Sequence, residues 1–148
     1  MAIGLCVETK YFEDFKNEFE NYAKEHIDTN STFEISVDKE IVGKELKVKE
    51  IAELEKLEPF GDSNEEPVFI LKGLKITSIR ALSDGKHIKL TLKDDNNIDI
   101  DGIGFGLGEL SSSYLIGDRV DVIGNLQINS FNEIESIQLN LKDIRMAL

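Results

Sequence analysis

Helices with one strand, followed by a five-stranded antiparallel β-barrel, form the α+β architecture that this 148-residue sequence predicts. Three observations carry it. Apolar side chains recur at helical spacing early in the chain, they alternate at period two beyond Pro67, and turn residues cut that later region into short strands. Hydrophobic residues make up 41% of the chain and there are only two prolines, a composition that buries a core and excludes a disordered or fibrous chain.

From Tyr11 to Ile27, Phe12, Phe15, Phe19, Tyr22 and Ala23 mark one face of a helix, with Thr9 as its expected N-cap and Glu13 and Asp14 near its positive end. Asp28-Thr29-Asn30-Ser31 breaks it. Phe33, Ile35 and Val37 then alternate with polar residues as a half-buried strand does. Val48, Ile51, Ala52, Leu54 and Leu57 line a second helix, which Pro59 ends at Glu58. The segment 58–67 is a connector, and a boundary falls near Glu66.

Five strands follow. The first runs from Val68 to Leu82 with an interruption at Gly73, and the second points Ile88, Leu90 and Leu92 inward. In the third, Ile98 and Ile100 are followed by Ile103 and Phe105, a change of phase at Gly102 that predicts a bulge and a buried Phe105. A link over Glu109–Ile116 leads to the fourth, with Val120, Val122, Leu126 and Ile128. Ile137, Leu139, Leu141 and Ile144 mark the fifth. Five strands with a link between the third and fourth suggest an OB-type barrel.

Charge is unevenly placed. The total is −12, from 17 basic and 29 acidic residues. Residues 1–66 hold 18 acids and 8 bases (net −10), and residues 67–148 hold 11 acids and 9 bases (net −2). Lys72, Lys75, Arg80, Lys86, Lys89 and Lys93 face only Asp84 within their stretch, a balance of 6 − 1 = +5. That stretch is either a cationic strip or a set of solvated lysines. No apolar run reaches the roughly 18 residues of a membrane span and no basic leader precedes one. A single cysteine, Cys6, expected as a small buried hydrophobe, excludes an intrachain disulfide and fits a cytoplasmic setting without membrane contact.

The connector carries a specific resemblance. Leu54-Glu55-Lys56-Leu57-Glu58-Pro59-Phe60-Gly61, with Asn64 and Glu66-Pro67-Val68-Phe69, resembles the hinge of the RecJ exonucleases. Ala2-Ile3-Gly4-Leu5, Lys86-His87-Ile88-Lys89-Leu90, Gly104-Phe105-Gly106, Gly117-Asp118-Arg119-Val120-Asp121, Gln138-Leu139 and Asp143-Ile144-Arg145 are similar to other family segments, in order. The resemblance implies that residues 1–66 are the truncated end of a DHH-associated domain with its hinge, and residues 67–148 an OB domain. It further implies a parent enzyme that degrades single-stranded DNA from the 5′ end in repair and recombination, using Mn or Mg held by a DHH domain. No Asp-His-His sequence occurs here, and His26 and His87 are the only histidines, so the piece is expected to be non-catalytic and without a cofactor of its own.

OB barrels commonly bind single strands on their second and third strands, with cations for phosphates and rings for bases. His87, Lys89, Thr91 and Lys93 share the outward side of the second strand, and Asp99 and Asp101 that of the third. The pattern leaves open whether those carboxylates pair with the lysines or leave them to DNA. An odd-length loop around Asp95-Asn96-Asn97 keeps the two inward sets aligned. Among the aromatic rings, Phe105, Tyr114 and Phe131 are candidates for stacking, Phe131 being the one expected to be exposed. Lys86, His87, Asn129 and Phe131 form the preferred cluster, and Lys89, Lys93 and Arg119 complete the candidate set. The expected partners are single-stranded DNA, bound weakly and salt-sensitively, the parent DHH domain and other repair proteins. A scaffold or protein-docking module without nucleic-acid contact is the alternative. Gly102–Gly108 lacks dinucleotide-binding spacing and suits close barrel packing, while Asp95, Asn97 and Asp99 lack the glycine and glutamate of a calcium loop.

Overall fold

The computed structural model describes residues 4–26, 34–131 and 134–147. The chain divides into two compact units, Met1–Ile35 and Ser36–Leu148. In the first, a 3-10 turn at Thr9–Tyr11 runs into helix α1 (Phe12–His26). Thr9 therefore lies inside a helical turn instead of capping it. Phe15 and Phe19 stack at 5.8 Å along α1, yet none of its residues is buried. Cys6, expected inside, is exposed.

The second unit begins with strand β1 (Lys39–Glu40) and helix α2 (Val48–Ala52), which tightens into a 3-10 turn at Glu53–Leu57. The strand expected over 33–37 is not found at 34–37; Phe33 lies outside the described residues. The reason is anchorage. Ile41 is the side chain that reaches the core, while Ile35 and Val37 stay exposed. Asp38 fixes the start: its N–H donates to the Val68 carbonyl at 2.8 Å, and its carboxylate accepts from the Val68 N–H at 2.8 Å. Pairing then sets Lys39 and Glu40 parallel to Phe69 and Ile70.

The barrel comprises β2 (Phe69–Leu82), β3 (His87–Lys93), β4 (Asp99–Gly104), β5 (Arg119–Phe131) and β6 (Ile134–Met146). Pairings β2–β3, β3–β4, β4–β6, β6–β5 and β5–β2 close it. Four are antiparallel and β4–β6 is parallel. The expected all-antiparallel barrel is corrected to a mixed one by parity. Direction reverses at each antiparallel pairing, so a closed ring of five strands must contain an odd number of parallel pairings.

Leu71, Ile76, Ile88, Leu90, Leu92, Val120, Val122 and Leu139 are fully buried inside it, each contributing roughly 1.5–3 kcal/mol by leaving water. Ile51 of α2 and Ile41 join this core. The interruption expected at Gly73 is present. Register shifts between Leu71 and Leu74, Gly73 has φ +66°, and its N–H donates to Asp121 Oδ1 at 3.0 Å. The other Asp121 oxygen accepts from Arg145 Nε and Nη2 at 3.1 and 3.0 Å, so one buried carboxylate ties β2, β5 and β6 together.

No bulge occurs at Gly102. Strands β3 and β4 pair without slip from Ile88↔Gly104 to Lys93↔Asp99. Ile100, Gly102 and Gly104 are buried in alternation. A Cβ on Gly104 would stand 2.8 Å from Ile88 Cγ2, and one on Gly102 3.2 Å from Leu141 Cδ1. The inward row is thus made of glycines where the barrel leaves no room for side chains. Ile103 and the residue after the strand, Phe105, take the outward phase, and Phe105 is 59% exposed instead of buried.

Candidate functional site

Strict alternation sends His87, Lys89, Thr91 and Lys93 of β3 to one wall of the barrel, beside Asp99, Asp101 and Ile103 of β4. The odd loop forms as expected. Residues 94–98 join the strands, and Asp94 Oδ1 accepts from the Asn96 and Ile98 N–H groups at 2.8 and 2.9 Å. Burial acts to raise the Asp94 pKa, but these backbone bonds and the Asn96 side chain outweigh it and hold the carboxyl below its ordinary range.

At this end of the wall the cations meet carboxylates. Lys93 Nζ lies 3.3 Å from Asp99 Oδ1, its direct cross-strand neighbour, and Lys89 Nζ lies 3.7 Å from Asp101 Oδ2 on the diagonal. Thr91 Oγ1 donates to Asp101 Oδ1 at 3.1 Å. Such half-exposed pairs are worth little each, about 0.2–1 kcal/mol. A phosphate can therefore compete for either lysine at low cost.

The other end is aromatic. His87 and Phe105 meet edge to face, with ring centroids 5.3 Å apart and planes at 72°. The Gly106 N–H donates to His87 Nδ1 at 3.0 Å, so the ring proton sits on Nε2. Lys86 closes the turn between β2 and β3, where Ser83, Asp84 and Gly85 all have positive φ. Gly108 seats the chain after β4 on that turn: its N–H donates to the Lys86 carbonyl at 3.2 Å, and a Cβ there would overlap the Gly85 carbonyl. Arg80 lies opposite Lys89 on β2. Arg80 and Lys86 are exposed and form no ion pair among the described residues. The result is two rings, Ile103 and two cations, Arg80 and Lys89, on one wall, with the exposed Lys86 in the turn just before His87.

The other candidates lie apart from it. Arg119 pairs across β2 with Lys75, itself opposite Lys93. Its guanidinium donates to the Gly73 carbonyl at 2.8 Å and to Asp95 Oδ1 at 2.9 Å. Asn129 pairs with Ser136, two positions before Gln138, which pairs with Asp101; Phe105 stands four positions beyond Asp101. Those 2 + 4 positions amount to roughly 20 Å along the strands, so the preferred cluster of Lys86, His87 and Asn129 is not brought together. The Phe131 side chain lies outside the described residues. Tyr114 is committed elsewhere, its hydroxyl donating to the Ile144 carbonyl at 2.9 Å. Burial, aided by the charge of Asp143, raises its pKa.

Phe105, weighed as a stacking ring but expected to be buried, and Arg80, read only as one cation of the basic stretch, are the site residues outside the candidate set. The signal for Phe105 was available, since glycines two apart continue an inward row as well as they break one. Among the described residues no three His, Cys, Asp or Glu side chains converge as metal ligands do. Asp95 and Asp99 are engaged by Arg119 and Lys93. The donor set does not fit a Mn or Mg site. No described helix is long and apolar enough to cross a membrane.

Comparison with known proteins agrees with this architecture. The family described as RecJ OB domain matches residues 37–143. The single-stranded-DNA-specific exonuclease RecJ of Bacillus subtilis (strain 168) is 26% identical over 149 residues, covering 99% of this chain and 19% of that protein. Among solved structures, RecJ of Thermus thermophilus in complex with Mn2+ superposes with a TM-score of 0.68 at 27% identity, over 98% of this chain and 20% of that one. Its Mg2+ complex gives 0.67 at 26% identity, over 97% and 21%. The chain thus spans about a fifth of the length of these relatives.

Proposed function

The chain belongs to the RecJ OB domain family, and from that premise we propose that it holds and guides single-stranded DNA for a RecJ-like 5′→3′ exonuclease of DNA repair and recombination. One observation carries the reading. On the wall formed by β3 and β4, the exposed Phe105 ring stands against His87, with Arg80 and Lys89 paired on the adjacent strands and Lys86 in the turn before His87. Bases stack on such rings while cations follow the phosphates, without demanding a particular sequence.

Hydrolysis belongs, on this reading, to a DHH domain elsewhere in a cytoplasmic parent enzyme, with its Mn or Mg. Residues 1–66 are the end of the DHH-associated domain and its hinge, and residues 67–148 the OB domain. Affinity of the chain alone is weak. With two or three phosphate contacts, log K falls by about 0.7 per contact for each decade of salt.

A second reading, a scaffold or docking module that touches no nucleic acid, is favoured by the Lys89–Asp101 and Lys93–Asp99 pairs and by the net charge of −12. A fluorescence titration with labelled oligothymidine at low salt separates the two. Binding that disappears with Lys86→Glu plus Lys89→Glu supports DNA guiding. No binding by the intact chain supports the scaffold.

A further inference from the structure

We propose that the groove between α2 and β5 docks an extended partner segment in which apolar residues alternate with Lys or Arg. The groove encloses about 360 Å3. Ile51, Phe60, Leu126 and Ile128 supply apolar surface; Glu55, Glu58 and Glu66 supply the charge, and among the described residues no basic one lines it. These three glutamates form no ion pair among the described residues. A second hollow of about 240 Å3 shares Ile51, Leu54 and Leu126 and adds Glu45 and Glu50, with Lys39 as the one cation among its described lining residues.

The wall opposite β5 is already fixed. Asn64 Nδ2 donates to the Leu57 and Pro59 carbonyls at 2.7 and 3.1 Å, and the buried Asn125 donates to those of Glu66 and Pro67 at 3.1 and 2.8 Å. Closing a preformed groove on a ligand costs little ordering entropy.

The shape of the occupant follows from the strand edge. Strand β2 pairs with β5 only as far as Gly124, whereas β6 pairs with it to Phe131. From Asn125 onward one edge of β5 therefore has no strand partner among the described residues. An extended segment laid there gains main-chain hydrogen bonds and sets alternate side chains on Leu126 and Ile128. Its remaining side chains come within reach of the glutamates, which select basic ones.

The test uses the full chain and a labelled decapeptide of alternating Val and Lys, followed by fluorescence anisotropy. Saturable binding is expected, weakened about tenfold by Glu55→Lys plus Glu58→Lys at these exposed positions. Replacing Val by Ser, or N-methylating alternate peptide amides, should weaken it at least as much, and neither arm depends on a protein variant folding. The proposal is overturned if the Val-Lys peptide does not bind, if the Ser-Lys peptide binds equally through charge alone, or if N-methylation changes nothing. Edge-to-edge dimerisation of the chain that the peptide cannot displace also overturns it. Saturation with oligothymidine should leave peptide binding unchanged, because the groove lies on β5 and not on the β3–β4 wall.

Discussion

Phe105 meets His87 edge to face at 5.3 Å, one residue past the end of β4 and opposite the first residue of β3. The contact sets the edge of one ring on the face of the other and still leaves Phe105 59% exposed. A ring held in place yet open to solvent is the arrangement a stacked base requires.

Phe105→Ala should therefore weaken oligothymidine binding by about 1–3 kcal/mol while leaving the thermal midpoint close to that of the parent chain. Equilibrium titration and a thermal melt on the same preparation check both halves. A melt lowered together with the affinity would mean that the ring serves packing.

Asp99→Asn with Asp101→Asn should tighten DNA binding severalfold, because each removes a competitor from a lysine at a cost of about 0.2–1 kcal/mol per pair. The lysines stay where β3 places them. Titrations at several salt concentrations should also show a steeper salt dependence, as two more cations become available to phosphates. Unchanged affinity and slope would place the DNA away from Lys89 and Lys93.

Gly104→Ala tests the inward glycine row. Its Cβ would sit 2.8 Å from Ile88 Cγ2 and 3.0 Å from Leu107 Cδ1, and overpacking of this kind costs about 1–3 kcal/mol. Urea unfolding should show that loss. A fully stable variant would contradict the assignment of Gly104 to the interior.

Asp94 links stability to pH. Its carboxyl is held below the ordinary range, so the folded state binds that proton less readily than the unfolded chain does. The stabilisation is complete above the unfolded value of about 3.9 and is lost as pH falls through the lower folded value. Asp94→Asn should be less stable than the parent at pH 7, with the gap narrowing below about pH 4. Urea titrations at both pH values measure it, and a gap that widens in acid would refute the assignment.

Much of this was readable from residue order. The inward sets of β3 and β5, the break at Gly73 and the loop of residues 94–98 follow from alternation, because a slip of one residue would expose Ile88, Leu90 and Leu92 together. Phe105 was misread because hydrophobic periodicity counts a glycine as a gap, whereas at Gly102 and Gly104 the missing side chain is what the interior demands. The parallel β4–β6 pairing is a property of closure, which no local pattern contains. Ile41 reaches the core through the pairing of Lys39 and Glu40 with Phe69 and Ile70, some 30 residues away in sequence, so strand propensity near Ile35 pointed to the wrong place. The separation of Asn129 from His87 is likewise set by register between strands and not by either strand alone.

Backbone amide chemical shifts followed during addition of oligothymidine at low salt test the central claim most directly. The account predicts saturable changes gathered on His87–Lys93, on residues 99–106 and at Arg80. Changes centred instead on the α2–β5 groove, or none at DNA concentrations well above that of the chain, would contradict it.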